Sequence, residues 1–445
     1  MIDRIARKLG NYDYGDAVLT RSRFTSITLK DGIVENVREG ETNLLSVRIM
    51  QNKTFGFAST NRPEEFEKTA SIAAKLAKLG KGEVALAEPE SHLAEISPKV
   101  KDDPRNHSLE EKIADLKGCV KMAQGKFTRN TLIVYHDSVS NNSFANSAGA
   151  LITENEIRTG AGTTVYAKKG ALIESSLGQV KEKAGYEIME RLPEIVVKAA
   201  KEAGKLLSAK HGPRGKMAAV LDPELAGVMA HEAVGHACEA DGILNGSSCL
   251  EGKLGKKIGN GCVTIKDSPV VAPQLWGSYL YDDEGTRAEG TTLVKNGILN
   301  SYLTNLESAA MLEGKLTANG RGNNSMRQIV RMSNTYFEKG DSKEEELFEG
   351  VKDGIYLVGC KEGQVSPKVG NFTFAAKYGF IIKNGRKGQM VRDCSINGNI
   401  LESLHNIDMV ADDLEFLSGT CGKDGQSAPV TTGAPHLRIR EILVG

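Results

Sequence analysis

Turn signals of one grammar, Lys30-Asp31-Gly32, Lys295-Asn296-Gly297 and Lys383-Asn384-Gly385, recur between short runs of strand-forming residues. They commit much of this chain to antiparallel hairpins, because Asn-Gly and Asp-Gly pairs supply the backbone that a tight hairpin needs. Glycine makes up 48 of 445 residues, about 11% against a usual level of roughly 7%, which points the same way. From Ala17 to Ser59 short alternating segments such as Phe24-Thr25-Ser26-Ile27-Thr28-Leu29 read as strands. Helical spacing governs only a few stretches. Pro63 to Leu79 starts at a proline and stops before Gly80, and Ser108 with Glu111 forms a capping box for a helix to about Gln124. Strands resume from Thr131 to Gln179, and a long helix is expected from Ala184 to Ala209.

Lys210-His211-Gly212-Pro213-Arg214-Gly215 ends that helix, so a boundary is expected there, giving domains of 1–209 and 210–445. The first reads as helices and antiparallel strands. The second, apart from a short helix near residue 230, reads as mainly antiparallel β. Segregation of strands and helices argues for an α+β chain over a doubly wound sheet.

Lys+Arg and Asp+Glu are 57 each, so no net charge draws the chain to nucleic acid or anionic lipid. No apolar run approaches the roughly 18 residues of a membrane span. The N-terminal Met1 to Gly15 lacks the continuous apolar core of a secretion signal. Seven scattered cysteines without a C-x-x-C pair fit a reducing cytoplasm.

Chemistry is densest in Met229-Ala230-His231-Glu232-Ala233-Val234-Gly235-His236-Ala237-Cys238-Glu239-Ala240-Asp241. Two histidines one helical turn apart bind zinc together in the familiar H-E-x-x-H pattern, with the glutamate working on water. Here the spacing is five. On a regular α-helix five residues rotate by about 500°, leaving the imidazoles roughly 140° apart. One wider turn of i→i+5 type would realign them, and Gly235 would let the helix loosen at small steric cost. The alternative is that His231 faces the core and His236 faces solvent. A catalytic zinc needs a third donor, for which Glu239, Asp241, Cys238, Asp282 and Cys421 are candidates. Cys238 would point to the opposite side of a helix from His236. Cys421 lies in the glycine-flanked Ser418-Gly419-Thr420-Cys421-Gly422-Lys423-Asp424-Gly425-Gln426, expected to be a loop, where Lys423 could help keep a thiolate ionised.

Other motifs point nowhere further. Gly160-Ala161-Gly162-Thr163-Thr164-Val165 lacks the last glycine of a dinucleotide fingerprint and reads as a turn between strands. Asp282-Asp283-Glu284 reads as an acidic turn before Gly285, with a second metal or substrate site as the alternative. No G-x-S-x-G elbow supports a serine hydrolase.

Four segments in order, Phe55-Gly56-Phe57-Ala58-Ser59-Thr60, His231-Glu232-Ala233-Val234-Gly235-His236, Asp282-Asp283-Glu284-Gly285 and Cys421-Gly422-Lys423-Asp424-Gly425-Gln426, make the chain similar to the TldD/PmbA metallopeptidases. This family was once described as modulators of DNA gyrase. The resemblance is to the TldD-type branch. It implies that His231, His236 and Cys421 bind a zinc-like metal with Glu232 as catalytic base. It also implies dimers that enclose a peptide site, formed with a second copy or with a metal-free PmbA-type paralogue. The expected function is zinc-dependent hydrolysis of extended or unfolded peptides, one Zn2+ or other divalent ion per active chain, in the cytoplasm and without nucleic acid or membrane. The rival readings are a non-catalytic metal-bound partner or maturation factor, and a regulator of a DNA-associated protein. Glu232 speaks against the former, because a structural metal site needs ligands but no base.

Overall fold

The computed structural model describes residues 2–322 and 326–445. In the first half, β1 (Tyr14–Lys30) and β2 (Ile33–Gln51) form a hairpin turning at Asp31 and Gly32, whose φ angles of 52° and 81° are the pair a primed turn requires. Both strands are far longer than the short segments expected. The hairpin half of β2 and the middle of β1 bury little, so the apolar alternation lapses there, yet backbone pairing continues and Arg23 meets Glu41 across the strands at 2.5 Å. With β3 (Thr54–Thr60), β4 (Leu93–Ile96), β5 (Thr128–Asn146), β6 (Leu151–Lys169) and β7 (Leu172–Glu182) they form a seven-stranded sheet in the order β3-β2-β1-β5-β6-β4, with β7 also on β6.

Four helices attend this sheet: α1 (Ile2–Leu9), which the sequence reading missed, α2 (Phe66–Leu79), α3 (Leu109–Met122) and α4 (Leu192–Leu206). Ser108 and Glu111 form the expected capping box on α3. The helix expected over 184–209 is instead a 3₁₀ turn at Tyr186–Arg191 followed by α4, because Pro193, lacking an N–H, fits only a helix start. Gly160 and Gly162 lie inside β6, not at a turn. A Cβ at Gly160 would sit 2.7 Å from Lys181 Cγ, so close strand packing accounts for that glycine.

In the second half, β8 (Lys210–His211) pairs with Arg386–Arg392. Strand β9 (Gly215–Leu221) pairs with Asp353–Ser366 and Leu437–Val444. Through Asn371–Lys383 and Ser395–Asn399 the pairing returns to Asp353–Ser366, so five strands close a ring around a large apolar core. A second, six-stranded sheet includes Asn334–Phe337, Gln426–Ala434 and Glu415–Lys423. Antiparallel pairing dominates, and the longest helices, α2, α3 and α4, lie in the first half, so the chain is α+β as expected.

One buried ion cluster joins the halves. Arg48 of β2 reaches Asp16 of β1 at 2.5 Å and Glu284 of the second half at 2.6 Å, all three almost without solvent exposure. Glu284 also accepts the backbone N–H of Leu306, 2.7 Å away, at the start of the short helix Leu306–Met311. Among the described residues no helix is long and apolar enough to cross a membrane.

Candidate metal centre

At the end of β9, Asp222 accepts a hydrogen bond from the Leu225 N–H at 2.9 Å and starts helix α5 (Pro223–Met229). The helix then widens into a π turn over Ala230–Gly235 and tightens into a 3₁₀ turn over His236–Cys238. The wide turn is where five-residue spacing demands it. Gly235 earns its place differently from expectation. Its backbone is ordinary helix, but a Cβ there would lie 1.9 Å from the sulfur of the fully buried Met332. Gly235→Ala is therefore expected to cost about 1–3 kcal/mol by overpacking. A double-mutant cycle of melting curves checks this, since the penalty should shrink in a Met332→Ala background and an undiminished penalty would place the cause elsewhere.

The π turn brings both imidazoles to one side, their centroids 5.2 Å apart, so His236 does not turn away from His231. Cys421 joins them: its Sγ is 3.5 Å from His236 Nε2, and one donor atom from each of the three residues lies within 4.8 Å of the others. Contrary to expectation, Cys421 is on a strand, Glu415–Lys423, which turns at Asp424 and Gly425 into Gln426–Ala434. The glycines around it mark a hairpin, not an irregular loop. Arg331, wholly buried, donates to the Cys421 carbonyl at 2.6 Å and steadies the strand behind the thiol.

Electrostatics differ between the histidines. Burial, helped by His236 and by Arg331 and Arg321, holds His231 well below the usual histidine range, so it is neutral, and its Nδ1 is buried without a hydrogen-bond partner. Burial also disfavours a charged His236, but the Glu239 carboxylate and Cys421 outweigh it and raise its pKa to about 10. Glu232 Oε2 stands 3.7 Å from His236 Nε2, and burial makes this carboxylate more basic than usual. Glu232 and His236 border an open cleft of about 1120 Å³, flanked by Arg327, Ile329, Gln364 and Val365.

The other candidate donors are engaged elsewhere. Cys238 is fully buried in the apolar core, and burial pushes its thiol far up. Asp241 is held by Lys423 at 2.6 Å. Lys423 also contacts Glu239 at 3.1 Å and donates to the Val330 carbonyl at 2.9 Å, so its ammonium is committed to these groups and not to the Cys421 thiol. Glu239 accepts from His236 Nδ1 at 3.0 Å. Asp282 accepts the backbone N–H groups of Glu284, Thr286 and Gly320 and is the organiser of a turn. Asp283 accepts from Gly322 N at 2.8 Å, and Glu284 belongs to the Arg48 cluster. A second gathering, Glu344, Asp413 and His436, already holds a cation: Lys387 is 2.8 Å from Glu344, while Asp413 and Tyr356 occupy both His436 nitrogens.

What sequence reasoning missed is the tie between helix and hairpin. The signal was in the spacings: Glu239 three residues beyond His236, and Lys423 two residues beyond Cys421 on the same face of a strand.

Residues 214–445 match the PmbA/TldA metallopeptidase C-terminal domain, 15–77 match domain 1 of that family and 102–207 its central domain. A protein of Methanothermobacter thermautotrophicus named metalloprotease is 38% identical over 97% of this chain and 95% of its own length. One from Saccharolobus solfataricus named zinc metalloprotease TldD homolog is 29% identical over 92% of this chain and 91% of its own. A Thermotoga maritima structure described as a modulator of a DNA gyrase superposes with a TM-score of 0.84 at 22% identity, covering 100% of this chain and 99% of the other. TldE from Thermococcus kodakarensis superposes with a TM-score of 0.78 at 18% identity, over 99% and 98% of the two chains.

Proposed function

The chain belongs to the PmbA/TldD metallopeptidase family, and from that premise we propose that it is a zinc-dependent peptidase acting on extended or unfolded peptides, its chemistry housed in residues 210–445. The observation that carries this reading is the convergence of His231, His236 and Cys421 beside Glu232 at an open cleft. The residues fit a metal. A neutral buried imidazole whose Nδ1 has no partner, a second imidazole and a thiol make the nitrogen and sulfur set that zinc favours, with a fourth position left for substrate or water.

When bound, such an ion supplies Lewis acidity toward a peptide carbonyl and lowers the pKa of water. Glu232 takes the proton of the attacking water and returns it to the leaving amine. The strand Asp353–Ser366 offers the cleft a substrate-binding edge: among the described residues, 362–366 pair only with Asn371–Ala375, and Gly363 to Ser366 face the cleft. A peptide backbone adding to that edge would be held with loose sequence preference, and folded chains could not present one. Pairing follows the family pattern, either with a second copy or with a metal-free paralogue. The seven cysteines, all unpaired, suit a cytoplasmic location.

Zinc analysis with cleavage of an unfolded casein and of a stable folded protein tests this reading. Casein should be cut, the cutting should stop with chelator and resume with zinc, and the folded protein should be spared. Chelator-insensitive cleavage, or efficient cutting of the folded protein at native loops, would overturn it.

A further inference from the structure

We propose that Glu239, locked in place by Lys423, is the positioning residue that holds His236 with a proton on Nδ1 and a free lone pair on Nε2 for the metal. The inference rests on the metal assignment above and deepens it.

The geometry is a two-point dock between helix and hairpin. Cys421 and Lys423, two residues apart on one strand, project to the same face. Opposite them stand His236 and Glu239, three residues apart on the tightened end of the helix. Cys421 Sγ meets His236 Nε2 at 3.5 Å, and Lys423 Nζ meets Glu239 Oε2 at 3.1 Å. That same Oε2 is 3.0 Å from His236 Nδ1. An ionised carboxylate has no proton to give, so the shared hydrogen must lie on Nδ1, and Nε2 is the nitrogen that coordinates once a metal displaces any proton it carries. A carboxylate behind a ligating imidazole fixes both the tautomer and the ring plane.

Lys423 is needed because Glu239 is buried, with 3% of its surface exposed, and its other oxygen has no hydrogen-bond partner. Without the ammonium a lone carboxylate in that setting would be costly to keep charged. Asp241 takes the remaining reach of Lys423 at 2.6 Å and holds it over Glu239. Lysine at 423 thus has a task one step removed from the metal.

The test uses the full chain, stripped of metal and titrated with zinc against a chromophoric chelator, together with the visible spectrum of the cobalt-loaded protein. Glu239→Gln and Lys423→Met should each weaken zinc binding by roughly 10–100-fold and shift the cobalt ligand-field bands, while Lys423→Arg, which restores the charge, should recover most of the affinity. Should Glu239→Gln fail to fold, Lys423→Met decides alone. Variants that bind zinc within twofold of wild type with unchanged cobalt bands would overturn the proposal and leave the metal assignment standing. A wild-type chain that binds no zinc, or binds it unaltered after His231→Ala, would overturn the metal assignment and this inference with it.

Discussion

Replacing Glu232 by Gln should leave zinc content and folding near wild type and lower peptide cleavage by roughly 10²–10⁴-fold, the range for losing a general base. Glu232 adjoins His231 but lies at the cleft, with its carboxylate 3.7 Å from His236 Nε2 and no donor set of its own. Glutamine keeps its size and can still accept a hydrogen bond, yet it cannot take a proton. Burial raises the Glu232 pKa, which strengthens it as a base and moves the acidic loss of its charge upward from the usual glutamate range. Cleavage therefore declines as pH falls through that raised value. Equal rates for Glu232→Gln and wild type, with wild-type cleavage metal-dependent, would remove Glu232 from the mechanism. A purely structural metal site would show no turnover to lose.

Cys421→Ser should produce the second large effect, on zinc affinity itself. Position 421 pairs with Ala428 in a regular hairpin, and serine is close enough in size to keep that strand intact. The hydroxyl is a far poorer zinc ligand than a thiolate. Loss of a direct ligand should exceed the roughly 10–100-fold that follows loss of an outer-shell partner. Metal content at limiting zinc is the measurement, with melting of the metal-free proteins as the control. Full occupancy of the serine variant would mean that the third donor lies elsewhere.

The reach of sequence reasoning here follows from what each signal encodes. Hairpin turns were legible because positive φ at Asp31-Gly32, Asn296-Gly297 and Asn384-Gly385 is a local demand met by few residue types. The widened turn at His231 to His236 was legible because helix rotation leaves no other way for both imidazoles to meet one ion. Strand lengths were not, since the hairpin half of β2 and the middle of β1 are held by pairing between backbones, which leaves little trace in side-chain pattern. Gly235 was noticed for the wrong reason, because the sulfur of Met332, which excludes a Cβ, comes from almost a hundred residues away. The acidic run 282–284 is the turn that its local sequence indicated, but its part in an ion cluster emerged only once Arg48 stood beside it. Tertiary neighbours of that kind are not written in local sequence.

The π turn also bears on how such a centre could gain or lose its spacing. One residue fewer between the histidines would place them four apart, about 40° from alignment on a regular α-helix, so the imidazoles alone would tolerate the deletion. The surroundings would tolerate it too: the wide turn already takes up the fifth residue, so its removal would return the segment to regular α-helix and leave Ala237, Cys238 and Glu239 near the faces they now occupy. The extra residue is thus an insertion absorbed within a single turn, and a protein engineer shortening the motif to H-E-x-x-H would meet the change at the metal centre and not in the hairpin.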